Sequence, residues 1–424
     1  MIRPLNHIPD SCAVAIVGAG PSGLSAAIEL KRLGVNDVHV IERESAAGGI
    51  PRHCGHPPFG MREFNRIYKG PTYAKKLVAQ ALANNVALHL DTTVVSLGRN
   101  GLLHLSSPHG SAELLAERVI LCTGVRETPR SARLVSGQRP LGIVTTGALQ
   151  SMVYLYDKRP FRMPVIVGSE LVSFSALLTC RHAGIKPVSM IEANDRPTAW
   201  NLSRLLPLAS GTQLRLNSSI QRILGRVRVE GVEVIDRNGT VSTESCDGII
   251  FSGRFVPEST LARLSHLDVD PDSQGPVIDN FGRCSDPAYL AAGNLLRAVE
   301  TAGWCWQEGR RVASTVHRSL EGQLPDSGEY IRVIANHPII KYVLPQRLSI
   351  NEGSMHSDTH PVQHHQLQLR VSSTAKGVLS IVSGERTILM KRINTLPERR
   401  ILVNLPSSTR DMVDDTIRID FNPS

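Results

Sequence analysis

Apolar and polar positions alternate along this chain with two periods, and the switches between them mark the elements. Residues 13–42, AVAIVGAGPSGLSAAIELKRLGVNDVHVIE, open on an unbroken apolar run from Ala13 to Val17, the pattern of a strand buried on both faces. Leu24, Ala27, Ile28 and Leu30 then recur at the spacing of one helical face. A second apolar run, Val38 to Ile41, predicts another buried strand. The same order returns at 164–192, PVIVGSELVSFSALLTCRHAGIKPVSMIE: a strand Val165–Val167, a helix over 172–183 and a strand Val188–Ile191. RVILCTG (118–124) and YLAAGN (289–294) read as two more buried strands, and ETAGWCWQEGRRVA after the second reads as a helix.

Elsewhere the period is two. QLRLN, RVRVEGVEVID and VSTESCDGII predict short strands joined by glycine turns. Pro325-Asp326-Ser327-Gly328 punctuates a boundary, and beyond it QLQLRVSS, GVLSIVSG, RTILMKRI, RILVNLP and DTIRIDF alternate like antiparallel strands. The expected fold class is α/β: two Rossmann-like dinucleotide-binding domains, the second inserted in the first, plus a small C-terminal β-rich domain. The expected bounds are 1–155 and 246–325 for the first, 156–245 for the second and 330–424 for the β-rich domain. That last domain carries no cluster of acid–base groups and is expected to serve as a docking or lid element.

The glycines add chemistry to the first repeat. Gly18, Gly20 and Gly23 stand in GxGxxG spacing between strand and helix. In that position they make a tight turn, let the backbone approach a pyrophosphate, and close the helix onto the strand. The helix N-terminus offers free N–H groups and a positive dipole end to the diphosphate. Glu42, at the end of the second strand, is placed to accept a hydrogen bond from a ribose hydroxyl.

The second repeat keeps the strands, the helix and a terminal acid, Glu192, but its fingerprint reads Gly168-x-Glu170-x-x-Ser173. A carboxylate stands where the backbone should meet pyrophosphate. At about 4 Å and an effective dielectric near 20, one like-charge pair costs roughly 4 kcal/mol. NAD(P) binding there is expected to be lost, the domain being kept for structure or adapted to another ligand such as a mononucleotide. Glu170 turned outward to solvent would leave a working NAD(P) site.

Composition narrows the classes. The charged residues are scattered, so a net charge of +9 favours small anionic ligands over nucleic acid, and aromatics at 4% are too few for a stacking surface. No apolar run reaches the roughly 18 residues of a membrane span. The polar opening MIRPLNHIPDSC does not read as a secretory leader, so the expected location is cytoplasmic. The seven cysteines include no CxxC or CxxxxC pair. In GGIPRHCGHPPFG (48–60) Cys54 stands alone between His53 and His56, without the second cysteine that a dithiol relay needs. Three ligands crowded into four residues do not easily face one ion, and no metal is expected there. His360, His364 and His365 read as a solvated linker.

The first fingerprint, the Thr123-Gly124 strand end and the late AAGN segment resemble the two-dinucleotide-binding-domain flavoproteins of the pyridine nucleotide–disulfide oxidoreductase superfamily. The resemblance implies that the first site holds FAD, with contacts at Gly18, Gly20, Pro21, Ser22, Gly23, Glu42, Arg43, Gly49, Arg52, His53 and Val94. It adds Thr123, Gly124, Gly293, Asn294, Thr301 and Ala302. Asn294 replaces the usual Asp, and its amide can still hydrogen-bond a ribityl hydroxyl. His53, Cys54 and Trp304 are the candidates for the flavin face. GGIPRHCGHPPFGMREFNRIYKGPTYAKKL, TGVRETPRSARLVSGQRPLGIVTTGALQ and NLLRAVETAGWCWQEGR narrow the likeness to the alpha subunits of heteromeric dye-linked dehydrogenases: opine oxidases, hydrogen cyanide synthase, proline or hydroxyproline dehydrogenases. This implies a hetero-oligomer with a second FAD oxidoreductase subunit, which would oxidise a small amino or imino acid, amine or hydroxy acid. Many such subunits carry a cysteine-rich iron–sulfur segment at the C-terminus. This chain has no cysteine after Cys305, so any cluster belongs to another protein, such as a small iron–sulfur partner. Two alternatives stay open: a stand-alone NAD(P)H-dependent reductase of the ferredoxin or rubredoxin reductase type, and a scaffold whose flavin is only structural.

Overall fold

The computed structural model describes residues 8–198, 207, 210–325, 328–349, 366–406 and 414–424. The histidines at 360, 364 and 365 lie outside the described residues. Among the described residues the helices are α1 (Pro21–Arg32), α2 (Gly70–Ala83), α3 (Thr146–Tyr154), α4 (Leu171–His182), the one-turn α5 (Thr260–Arg263) and α6 (Ala302–Leu320).

The chain divides into two compact units, one of residues 1–49, 76–125 and 257–424, the other of 50–75 and 126–256. The first unit is built on a seven-stranded sheet. Ala87–His89, Val38–Ile41, Ser11–Val17 and the end of Gly110–Leu121 run parallel, and Tyr289–Ala291 pairs outside the last of these. The strand order reverses beside Ser11–Val17, so the crevice at its carboxyl end is the natural ligand position of such a sheet. Both faces are covered, and Val14, Ala15 and Ile16 are fully buried, as the unbroken apolar run requires. Helices α1 and α6 pack closely because Gly309 has no side chain: a Cβ there would lie 2.1 Å from Ser22 O. Ser25 Oγ donates to Trp306 O at 2.8 Å, and Arg310 grips Glu29 with Nε at 2.8 Å and Nη2 at 3.1 Å.

The C-terminal strands form a five-stranded and a three-stranded sheet. They enclose a core of their own that includes Leu367, Ile381, Ile417 and Ile419. All five stretches that alternate in the sequence are strands: Gln366–Val371, Ala375–Ser383, Arg386–Thr395, Ile401–Asn404 and Thr416–Pro423. Tyr330–Ala335, Ile340–Leu344 and Arg347–Ser349 add three that the pattern does not flag, being short and interrupted by Pro338 and Pro345. Tyr342 and Leu344 enter the core cluster of the first unit, so this β-rich region is packed into the unit rather than tethered to it.

The second unit repeats the Rossmann order. Gln213–Arg215, Ser189–Ile191, Pro164–Val167, Gly248–Phe251 and Ile143–Thr145 form one parallel sheet. A separate four-stranded sheet carries Ser218–Leu224, Gly231–Asp236 and Val241–Ser245, with Ser136–Gly137 at its edge. The bounds differ from the expected 156–245. Ile143–Thr145 hydrogen-bonds to Gly248–Phe251, which carries 126–155 and 246–256 into the second unit, and 50–75 joins them. Short strands such as Ile143–Thr145 carry too little pattern to reveal which sheet they join.

Candidate functional site

The first fingerprint folds as its glycines dictate. Gly18 has φ +105°, and a Cβ on it would lie 2.5 Å from Cys122 O. On Gly23 a Cβ would lie 1.9 Å from Gly18 O, so the helix closes on the loop only through glycine. Gly20 differs: a Cβ there would meet no protein atom within 4 Å. Its outer side is an open cradle. Pro21 starts α1, and the first-turn N–H groups of Ser22 and Gly23 have no intrahelical acceptor. Gly49 crosses over this turn, a Cβ on it falling 2.8 Å from Gly20 Cα. Gly124, φ +79°, is likewise open on its Cβ side. Thr123 Oγ1 donates to Glu258 O at 2.7 Å and anchors that strand end.

Glu42 is buried and receives Ala19 N on Oε2 at 2.8 Å and Glu44 N on Oε1 at 3.0 Å. Each oxygen keeps a lone pair, so the carboxylate shapes the loop and can still accept from a ribose. Asn294 is more committed than expected. Its Oδ1 accepts Glu300 N at 2.7 Å and its Nδ2 donates to Glu300 O at 3.1 Å, leaving one donor and one lone pair. Gly293 has φ +77° and packs against Ser22, whose Cβ would be 2.9 Å from an added Cβ. Thr301 caps α6 with extended backbone and Ala302 is its first residue. The Trp304 ring is covered by the Arg400 guanidinium, 3.3 Å from its centroid. Val94 points into the hydrophobic core, and Arg43 is exposed.

Arg52, His53 and Cys54 belong to the second unit, whereas the glycine set belongs to the first. Cys54 is buried, with Sγ directed at Ile50 O (3.4 Å) and Gln150 Oε1 (3.6 Å), and burial pushes its thiol up to about 12. His53 is pushed down to about 4, by burial first and then by Arg52, so its ring is neutral at ordinary pH. His53 and Cys54 both face the Gln150 amide, whereas His56 Nδ1 pairs with Pro57 O. Among the described residues no group of three His, Cys, Asp or Glu converges to hold a metal ion.

The second fingerprint is lined by side chains where the first has glycines. Glu170 is the N-cap of α4, and its Oε1 accepts Arg254 N at 3.0 Å. The carboxylate lies on Gly253, where a Cβ would stand 2.2 Å from Glu170 Cδ. Arg133 reaches the same place, donating through Nη2 to Ser252 O (3.0 Å) and Gly253 O (2.7 Å). Ser173, fully buried, donates to Ser252 Oγ at 2.8 Å. Glu192, the counterpart of Glu42, accepts Asn194 N at 2.9 Å and Asn194 Nδ2 at 2.7 Å on one oxygen and the Ser169 hydroxyl on the other. The Glu170 carboxylate therefore turns onto the Gly253–Arg254 backbone, half-buried, and makes no hydrogen bond to the α4 N-terminus. Glu127 does bond a helix N-terminus, that of α3: it accepts Gly147 N at 2.7 Å and Gly253 N at 3.0 Å, and burial raises its carboxyl. Neither Glu127 nor Glu308, which holds Gly293 N at 2.9 Å, stands out in the sequence, because an isolated Glu reads as a solvated position.

A cavity of about 940 Å³ opens elsewhere in the first unit, lined by Ser11, Asp37, Arg118 and Ala288 at the amino ends of the sheet strands. It is a whole strand length from the glycine turn and is not the cofactor cradle. Among the described residues no helix is long and apolar enough to cross a membrane.

The family described as Pyridine nucleotide-disulphide oxidoreductase matches residues 12–309. The chain is 27% identical over 297 residues to the rubredoxin-NAD(+) reductase of Ectopseudomonas oleovorans, covering 68% of this chain and 72% of that protein. It is 24% identical over 312 residues to an opine oxidase subunit of Rhizobium meliloti, covering 66% and 58%. Among solved structures, the thioredoxin reductase of T. acidophilum superposes with TM-score 0.63 at 21% identity, over 74% of this chain and 100% of that one. The L-proline dehydrogenase of P. horikoshii gives 0.57 at 20% identity, over 73% and 56%. At these identities the structural likeness shows the fold.

Proposed function

The chain belongs to the pyridine nucleotide-disulphide oxidoreductase family, and from that premise we propose that it is the FAD-binding electron-transfer subunit of a multi-subunit dehydrogenase. The family binds FAD and carries a pyridine-nucleotide-binding domain, and this chain is a flavoprotein and an oxidoreductase of that family. Its residues fit the cofactor: the open side of Gly20, the free first-turn donors of α1 and the spare lone pairs of Glu42 form a cradle for a dinucleotide. Bound there, FAD supplies a two-electron acceptor that can also pass single electrons on. The protein's share is to hold the diphosphate on backbone N–H groups, fix the adenosine end beside Glu42, and pin the 293–302 segment at the other end.

One observation carries the reading: the first fingerprint is open at Gly20, and the second carries the Glu170 carboxylate beside Gly253. A flavin that NAD(P)H does not reach exchanges electrons with another protein. In this reading a second FAD subunit oxidises a small amine, amino or imino acid, or hydroxy acid. A small iron–sulfur protein receives the electrons, and the complex works in the cytoplasm. The second unit then serves structure, with room for at most a smaller ligand such as a mononucleotide. A disulfide reductase role fits poorly with Cys54, a buried thiol raised to about 12 that lacks a second cysteine at relay spacing. The 27% identity to a rubredoxin-NAD(+) reductase favours a second reading, a stand-alone NAD(P)H-dependent reductase.

Anaerobic stopped-flow separates the two. The isolated protein should bleach slowly or not at all with micromolar NADH or NADPH. Its flavin should be reduced quickly once the co-encoded subunits and a small amino or hydroxy acid are added. Rapid bleaching of the isolated protein by NADH would establish the second reading instead.

A further inference from the structure

Between the turn at Gly293–Leu295 and α6 the backbone runs through Leu296 to Thr301 without regular structure, so its polar groups must be met by side chains. They are met from two sides. From α6, Glu308 accepts Gly293 N at 2.9 Å and takes Arg297 in a bidentate pair, Nη1 at 2.9 Å and Nη2 at 2.7 Å. Arg297 Nη1 also donates to Gly293 O at 3.0 Å, so the one ion pair holds the residue by both its N–H and its carbonyl. From the strand Gln366–Val371 of the β-rich region come Gln368 and Arg370. Gln368 Oε1 accepts Arg297 Nη2 at 3.2 Å and its Nε2 donates to Glu300 Oε1 at 3.0 Å. Arg370 Nη2 donates to the same Oε1 and to Val299 O, both at 2.8 Å. Since Glu300 is tied through its backbone to both ends of the Asn294 amide, the circuit Gly293–Glu308–Arg297–Gln368–Glu300–Asn294 closes.

The ring is buried. The side chains of Arg297 and Glu300 are 2% and 6% exposed. Arg297 Nε and Arg370 Nε are buried without a partner, but both guanidinium groups are held through their terminal nitrogens, and a paired network of this kind favours one geometry, because opening a link strands a charge away from water. Two of its links lie on residues 368 and 370, beyond the stretch 12–309 that matches the family.

We infer that Gln368 and Arg370 are positioning residues for the flavin cofactor, acting on it through Glu300, Asn294 and Gly293. The β-rich region is then part of the cofactor site: it sets the conformation of the 293–301 segment that the Rossmann framework leaves without regular hydrogen bonds. By linkage, what the clamp gives to the cofactor the cofactor returns to the clamp.

The test uses the full chain. FAD is titrated into apoprotein of wild type, Gln368→Ala, Arg370→Ala and Arg370→Lys, with flavin fluorescence quenching and visible circular dichroism as readouts. Arg418→Ala, whose partner Gly384 lies in the same β-rich region, is the control. The expected result is a Kd raised at least tenfold in Gln368→Ala and Arg370→Ala with an altered visible dichroism, partial recovery in Arg370→Lys, and no change in the control. Hydrogen exchange on the wild type gives a readout that no folding defect can spoil: loading FAD should slow exchange at both 293–301 and 366–371. Folded variants with Kd within twofold of wild type would overturn the inference. So would FAD protection confined to the first Rossmann repeat.

Discussion

Replacing Glu170 by glycine should open the second fingerprint to pyridine nucleotide, and the structure sets the size of the effect. Two obstacles leave with the side chain. One is charge: a carboxylate about 4 Å from a diphosphate charge, at an effective dielectric near 20, costs roughly 4 kcal/mol, close to three decades in Kd. The other is volume, since the carboxylate rests on Gly253, 2.2 Å from where a Cβ would stand. The hydrogen bond from Arg254 N at 3.0 Å is lost as well. A charge-assisted bond of this kind is worth about 1.5–3 kcal/mol, and its loss destabilises the unliganded state, while a bound phosphate would take the donor over. Ser173 keeps its side chain, buried against Ser252, where the third glycine should be. The gain therefore falls short of the full electrostatic figure, at about one to two decades in NADH affinity. The assay is an NADH titration together with the stopped-flow bleaching rate, on wild type, Glu170→Gln and Glu170→Gly side by side. Glutamine removes the charge and keeps the volume, so the order glycine, glutamine, wild type is expected from tightest to weakest. If neither variant binds NADH more tightly than wild type, the carboxylate is not the obstacle and the reasoning fails.

The second and third glycines of the first fingerprint should fail in different ways. Gly20→Val should leave a folded, mostly colourless protein, because a Cβ there enters the cradle and meets no protein atom within 4 Å, whereas Gly23→Ala should lower the melting temperature of the apoprotein, its Cβ falling 1.9 Å from Gly18 O. Full flavin retention in Gly20→Val would count against the cofactor position. Cys54→Ser should keep most of the flavin reduction rate, and native Cys54 should resist iodoacetamide at pH 8, its thiol being buried and raised to about 12; complete loss of reduction in the serine variant would point back to thiol chemistry. Burial pushes the thiols of Cys12, Cys122, Cys180 and Cys246 up to about 12 as well, from about 8.5 in an unfolded chain. The unfolded chain then releases these protons first, so their contribution is full below about pH 8.5 and is lost as pH rises toward 12. Urea midpoints measured from pH 7 to 10 should fall at the alkaline end, and a flat profile would contradict the burial of these groups.

Much of this protein is written in local pattern. An unbroken apolar run admits little but a strand covered on both faces, so Val38–Ile41 is a strand with the bounds its residues suggest, and Ala13–Val17 gains only Ser11 and Cys12. GxGxxG works the same way, because the conflicts that require glycine at 18 and 23 arise within the strand–turn–helix and with the neighbouring strand. The loss of that pattern at Glu170 and Ser173 was equally visible. Which way the Glu170 carboxylate turns was not: Arg254, 84 positions away in the chain, decides it with one backbone N–H. Distance along the sequence likewise hid the attachment of Ile143–Thr145 to the second sheet, the hold of Arg400 on Trp304, and the circuit that joins Asn294 to Gln368. A single polar residue carries no period, and its partner is set by how the sheets pack. Propensity and periodicity therefore fixed the strands, helices and glycine turns here, while burial and pairing of isolated charges, which exist only once distant segments meet, decided which side chains line the two fingerprints.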